Sequence, residues 1–387
     1  MRSVAVLLLR LINAGCPPAR RTNELAGAPE AIDDGWATSS LEAEGLNAAM
    51  MAEVMEFLRQ DPYGDFRSLV IVRNGRLVFE SYFNGHHRDS LHDIRSATKS
   101  LTSAVVGIAI AAGLVAGVDA LVFPSLAAYA PFAHDDARKR AITVEHLLTM
   151  ASGLDADEDE PASPGYEGRL WESADWLRFA LDLPMVRAPG QRLAYASVNT
   201  FMLGVIVEEA SRKPLSAYAH DRLFGPLGIT DFHWASTPLG RTVAQGNLSL
   251  RARDMAKFGQ LFLDRGGWRG VQIVPEAWVQ ASVAGRYPVP WDGYDSYGYG
   301  WYLHTLTVGR REFRYFLASG NGGNKIYVLP GERMVVAVQS AAYNTSYGQR
   351  RSLEVLRRVL AASVQLDATR VPPMQLMVRS LERSSRT

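Results

Sequence analysis

The spacing of hydrophobic positions along this chain changes from strand-like to helical and back again. Residues 69–72 and 77–82 are short apolar runs separated by Arg73-Asn74-Gly75-Arg76. An Asn-Gly pair between two such runs predicts a tight hairpin, because the favoured turn needs positive φ at both central residues. Far downstream, residues 313–317, 325–329 and 334–340 predict three more strands, with Pro330-Gly331-Glu332 as the turn between the last two. Between these ends the apolar positions recur at helical spacing over 101–114, 144–150, 174–183, 200–211, 215–223, 252–264 and 275–281, and a last helix is predicted over 351–362. Strands from opposite ends of the chain imply one antiparallel sheet flanked by helices. The intervening sequence makes an inserted, mostly helical lobe, and a cleft follows at the junction. The expected class is α+β.

Length and charge bound the function. A chain of 387 residues with 47% hydrophobic content can bury a large core. Forty-one lysines and arginines against 40 acidic residues leave no electrostatic case for nucleic acid or an anionic membrane surface. The expected partner is a small molecule, and no oligomeric state is readable. The apolar stretch 105–118 is interrupted by Gly107, Gly113 and Gly117 and closed by Asp119, so it reads as a core helix and not as an integral membrane span of about 20 residues. The eight histidines, including His86 and His87, form no set with metal-ligand spacing, and no Gly-rich phosphate loop precedes a helix. Neither a metal nor a cofactor is expected.

The first sixteen residues run through Arg2, an apolar stretch, Arg10 and then Leu11 to the single cysteine, Cys16. They resemble a secretory leader ending at a lipid-acceptor cysteine, but Arg10 breaks the apolar run and Asn13 stands where an aliphatic residue belongs. Two localisations stay open: cytoplasmic, or exported with lipidation at Cys16. The expected organisation is a leader or disordered extension over 1–33 and one catalytic domain over 34–365. Within that domain a sheet lobe takes about 34–90 and 285–365, and a helical lobe about 96–284. A tail over 366–387 completes the chain.

The chemistry lies in three short segments. Ser96 and Lys99 stand one turn apart just ahead of the 101–114 helix. A lysine held against a serine accepts its proton once burial lowers the amine pKa, and residues at i and i+3 share a helix face. Ser96 is expected in the first helical turn, where unpaired N–H groups and the dipole favour an anion. Tyr195, in Tyr195-Ala196-Ser197, precedes another helix and can act as phenolate base or proton relay if a cation lowers its pKa from about 10. Ala318-Ser319-Gly320-Asn321 ends a predicted strand, where glycine admits close approach and N–H groups can hold an oxyanion. Each segment also has a structural reading: an N-cap serine with an exposed lysine, a packing tyrosine, a Gly-rich strand exit. The aromatic stretch 287–302 has two as well, an apolar acyl pocket or core packing.

In this order the three segments resemble the serine penicillin-recognising enzymes, in particular the class C β-lactamase-like group of esterases, D-aminopeptidases, carboxypeptidases and amide hydrolases. That pattern is Ser-x-x-Lys, then Tyr-x-Asn or Tyr-x-Ser, then Lys/His/Trp-x-Gly. Three flanking stretches match as well: residues 146–154 resemble the group's LLTMTSGL segment, 224–229 its F-x-P-L-G-M segment, and 297–301 its YGYGW strand. The resemblance runs from about residue 34 to 358 and implies the β-lactamase/transpeptidase-like fold. It implies Ser96 as acylated nucleophile, Lys99 as its basic partner, Tyr195 as sharing the proton work, and the N–H groups of Ser96 and Asn321 as the oxyanion hole. Ser197, Ser319 and Gly320 fall in substrate-binding positions. Two departures stand out. Ser197 replaces the usual asparagine, and Ala318 replaces the lysine that would hold a β-lactam or peptide carboxylate, a contact worth about 1.5 to 3 kcal/mol. The resulting expectation is a serine hydrolase of esters or linear amides. A D-amino-acid peptidase or weak β-lactamase with a substitute carboxylate anchor is the alternative, and a non-catalytic binding or scaffold member a third.

Overall fold

The computed structural model describes residues 27–363 apart from 159 and 292. The leader residues, Cys16 and the tail over 366–387 lie outside the described residues. A two-residue strand β1 (Ala37–Thr38) and helix α1 (Ala48–Arg59) precede the hairpin of β2 (Phe66–Arg73) and β3 (Arg76–Tyr82). The hairpin closes at Asn74 and Gly75, whose φ angles of 52° and 74° are those the turn requires. Strand β4 (His92–Asp93) then leads through a 3₁₀ turn, Arg95–Ala97, into helix α2 (Thr98–Ala111).

The inserted stretch is helical. It carries α3 (Val122–Ser125), α4 (Ala137–Arg140), α5 (Val144–Leu148), α6 (Glu167–Glu172), α7 (Trp176–Leu181), α8 (Ser197–Ser211) and α9 (Leu215–Ala219). Strands β5 (His233–Trp234) and β6 (Leu248–Leu250) join β4 in a small sheet of order β4-β6-β5. Helix α10 (Ala252–Leu263), the ribbon of β7 (Gly267–Trp268) and β8 (Val271–Gln272), and α11 (Glu276–Ser282) follow. The chain re-enters the main sheet with β9 (Tyr287–Pro288), β10 (Ser296–Tyr297), β11 (Tyr302–Val308), β12 (Arg311–Gly320), β13 (Asn324–Leu329) and β14 (Met334–Ser340), and α12 (Ser346–Ser363) closes the described structure.

Strands from both chain ends form one nine-stranded sheet of order β1-β3-β2-β14-β13-β12-β11-β10-β9. Every neighbouring pair is antiparallel except β1 with β3 at the edge. The central strands β13 and β14 are buried along their whole length. Ile326, Val328, Val335 and Ala337 pack on the side of α2 and α10, while Tyr327, Val336 and Val338 pack on the side of α1 and α12. Burial on both faces explains why these strands read as continuous apolar runs rather than alternating ones.

Four local readings change. Ser96 lies in the 3₁₀ turn and not in the first turn of α2, which begins at Thr98. The helix expected from residue 200 begins at Ser197, bringing that residue into its first turn. Of residues 297–301 only Tyr297 belongs to a strand, β10: Gly300, at φ +79°, bends the chain between β10 and β11 and packs on the Lys99 carbonyl, where an added Cβ would sit 3.0 Å away. Helix α1 and strand β11 were not expected at all. No helix among the described residues is long and apolar enough to cross a membrane.

Candidate active site

Ser96 owes its presentation to an unusual backbone just before it. Arg95 has φ 52°, a left-handed conformation that a non-glycine residue holds only when its surroundings fix it. Here the Arg95 N–H donates to Asp93 Oδ1 at 2.8 Å and the guanidinium lies 4.3 Å above the Tyr343 ring. The chain thereby turns sharply out of β4 and carries Ser96 to the head of α2.

Lys99, one turn on, is 2% exposed. Its Nζ lies within hydrogen-bond distance of Ser96 Oγ at 3.0 Å, Ser197 Oγ at 3.1 Å and the Gln245 carbonyl at 3.0 Å, which fills its three tetrahedral positions; in the neutral amine two of these are N–H donors and the third is a lone pair. Burial pulls its pKa below the usual lysine value, with the nearby Glu158 and Glu167 pulling the other way.

Tyr195 reaches the same point from the helical lobe. The Ala194 N–H donates to the Met150 carbonyl at 2.8 Å, which ties the segment before α8 to residues 146–154. Lys99 Nζ lies 4.9 Å from the centre of the Tyr195 ring. Burial first, and then the charge of Glu158, push the phenol well above its ordinary value, although its hydrogen bond with Ser96 acts in the opposite sense. The condition set for a phenolate base, a pKa lowered by a cation, is not met: desolvation leads and the phenol is raised, which leaves the relay.

Ser197 is 2% exposed and faces Lys99 rather than open space. Its hydroxyl accepts from Lys99 and donates to Glu167 Oε1 at 3.1 Å, while its N–H donates to Glu158 Oε1. Burial lifts the Glu158 carboxyl to about 7, against the pull of Lys99. Sequence reasoning missed both glutamates. They stand in none of the motifs read from the sequence.

The far wall is the end of β12. A Cβ at Gly320 would lie 2.1 Å from the Ile94 carbonyl oxygen and 3.2 Å from the Ala97 nitrogen, so this glycine admits the turn that bears Ser96. Asn321 is pinned on two sides. Its amide Nδ2 donates to Asn344 Oδ1 at 2.7 Å, its Oδ1 accepts from the Asn344 N–H at 2.8 Å, and its carbonyl accepts from the fully buried Asn324 Nδ2 at 2.8 Å. Ser96, Tyr195, Ser319, Gly320 and Asn321 open onto one cavity of about 650 Å³. Ala318 does not: it is fully buried on the other face of β12, in the core beneath α2.

The family model described as Beta-lactamase matches residues 67–361. The chain belongs to the Beta-lactamase family. A Paenarthrobacter ureafaciens protein named 6-aminohexanoate-dimer hydrolase is 28% identical over 235 residues, covering 56% of this chain and 57% of that protein. Esterase EstB of Burkholderia gladioli is 31% identical over 219 residues, covering 51% and 54%. The chain thus spans about half the length of the curated relatives it matches. Among solved structures, a putative 6-aminohexanoate-dimer hydrolase from Bacillus anthracis superposes with a TM-score of 0.67 at 20% identity, over 80% of this chain and 81% of that one. The fold is the one shared by β-lactamases and penicillin-binding proteins.

Within that family frame, the aromatic segment divides between its two readings. Trp291, Tyr294 and Tyr302 line the cavity, whereas Tyr297, Tyr299 and Trp301 are buried packing residues, at most 2% exposed. No group of His, Cys, Asp or Glu able to hold a metal occurs among the described residues.

Proposed function

We propose that this protein is a serine hydrolase that cleaves an ester or a linear amide through an acyl-enzyme on Ser96. The observation that carries this reading is the convergence of Lys99 Nζ on Ser96 Oγ within a buried site that opens onto a cavity. Lys99 in its neutral form takes the Ser96 proton as Oγ bonds to the substrate carbonyl carbon. The carbonyl oxygen becomes an oxyanion, held by the N–H groups of Ser96 and Asn321. Collapse of this intermediate breaks the bond to the leaving alcohol or amine, which receives the proton through Tyr195. Water then attacks the acyl ester, its proton follows the same route, and the acid leaves with Ser96 restored.

Burial of Lys99 supports the neutral amine, and the protonated phenol supports Tyr195 as a relay rather than a resting base. Ser197 and Gln245 hold the amine in register. Ala318 sits in the core, so position 318 brings no carboxylate anchor of its own to the cavity. The names of the relatives, an esterase and a dimer hydrolase, agree with an ester or linear amide substrate.

Ser96→Ala tests the proposal. It should abolish both the turnover of p-nitrophenyl butyrate and labelling by a fluorophosphonate probe, with thermal stability nearly unchanged. More than a trace of residual turnover would overturn the assignment. Failure of the native protein to label at all would favour a binding or scaffold role, and faster turnover of a chromogenic cephalosporin than of the ester would favour a β-lactamase.

A further inference from the structure

Lys325 is a second buried lysine in this cavity, and the mechanism above gives it nothing to do. Ser319 and Lys325 are directly opposite one another on β12 and β13, so both side chains leave the sheet on the same face. That face, with Tyr315, Leu317 and Tyr327, is a wall of the cavity that holds Ser96. Lys325 is 2% exposed. Its Nζ donates to Tyr294 Oη at 2.8 Å and to Ser319 Oγ, both of them hydroxyl groups. No carboxylate among the described residues forms an ion pair with it. An ammonium group carries three donors, and two hydroxyls leave one of them, and the whole charge, without a counter-ion. Such a buried cation is costly unless something anionic compensates it.

The remainder of the cavity sorts by charge. Arg350, from α12, lines it on the sheet side, while Glu158 and Glu167 come from the helical-lobe side. A carboxylate entering the cavity is drawn to the sheet wall and repelled from the other, which fixes its orientation relative to Ser96. The position that would hold a cation in the family pattern, residue 318, is an alanine facing the core. The cation on this wall comes instead from the next strand.

We infer that Lys325, with Tyr294 and Ser319 as co-donors, is a carboxylate-binding subsite, and that the substrates are esters or amides bearing a free carboxylate a few bonds from the scissile carbonyl. This rests on the reading of Ser96 as nucleophile, and the test separates the two. The rate constant kcat/KM is compared for mono-p-nitrophenyl adipate, with the carboxylate on the acyl side, for 3-carboxyphenyl hexanoate, with it on the leaving side, and for neutral p-nitrophenyl hexanoate. Binding of adipate is measured separately by calorimetry.

In the native protein one carboxylated ester should be preferred, and its ratio to the neutral ester should fall about 10- to 100-fold in Lys325→Met, mainly through KM, with partial recovery in Lys325→Arg. Adipate should bind the native protein and not Lys325→Met. A ratio that does not change in Lys325→Met, or equal losses on all three esters, would overturn the subsite while leaving the hydrolase reading intact. If the native protein turns over none of them, the hydrolase reading fails and adipate binding alone decides the subsite.

Discussion

The Ser197 hydroxyl stands between the Lys99 amine, 3.1 Å away, and the Glu167 carboxylate, also 3.1 Å away, so a residue matched to a substrate-binding position is committed to holding that amine. Ser197→Ala leaves Lys99 with two partners and a looser aim at Ser96. The loss of one hydrogen bond to the neutral amine, about 0.5 to 1.5 kcal/mol, should lower kcat about two- to tenfold with little change in KM. Steady-state kinetics with p-nitrophenyl butyrate checks this.

On the proposed mechanism the acid limb of the pH–rate profile reports Lys99. Its neutral form is the competent one, and burial depresses its pKa, so kcat/KM should rise with pH well below the ordinary lysine range. Where Glu158 is ionised, above its own value of about 7, its charge stabilises the ammonium form and holds that pKa up. Glu158→Gln removes the negative charge, so the limb should move to lower pH. A shift to higher pH, or none, would show that Glu158 does not act on Lys99.

Tyr195→Phe removes the proposed relay without disturbing its stacking on Tyr302, whose ring centre lies 6.4 Å away. Loss of a general acid–base group should cost about 10² to 10⁴ in kcat. The double variant with Lys99→Ala should lose far less than the product of the single losses, because the two groups work as a unit.

Gly320→Ala places a methyl 2.1 Å from the Ile94 carbonyl, and backbone cannot give way as a flexible side chain would. The turn bearing Ser96 must shift. Activity should fall at least a hundredfold together with a stability loss of about 1 to 3 kcal/mol, measured by thermal unfolding.

His92 links stability to pH. It is buried, bonds to the Ser340 carbonyl at 3.2 Å through Nε2, and has its pKa lowered to about 4 from 6.5, chiefly by burial. The folded state favours the neutral ring, so this contribution is complete above pH 6.5 and is lost as the pH falls from 6.5 towards 4. The change is on the order of 3 kcal/mol. Chemical denaturation at pH 7 and pH 4.5 should show His92→Gln losing less stability than the native protein across that window.

Much of the fold was legible because its signals are local. The Asn74-Gly75 turn, the apolar runs at 325–329 and 334–340 and the periodicity of 252–264 each reflect backbone or burial demands that act within a few residues. What escaped were features without a local period. Strand β11 alternates too weakly to stand out from its aromatic surroundings. Residues 297–301 contain strand-forming aromatics, yet Gly300 breaks them because helix α2 packs against that point. Helix α1 takes its place from packing against α12, some 300 residues further along the sequence.

The candidate site divides in the same way. Ser96 and Lys99 are three residues apart, so their contact follows from spacing alone, and the sequence by itself determined the nucleophile candidate, its amine, the family and the α+β class. Only the tertiary structure decided that Tyr195 remains a protonated phenol, that Glu158 and Glu167 stand beside the amine, that Ser197 serves Lys99, and that Ala318 faces the core while Lys325 faces the cavity. These are matters of desolvation and of which face of a strand looks at which lobe. Both depend on residues brought together from distant parts of the chain, and neither leaves a spacing in the sequence to be read.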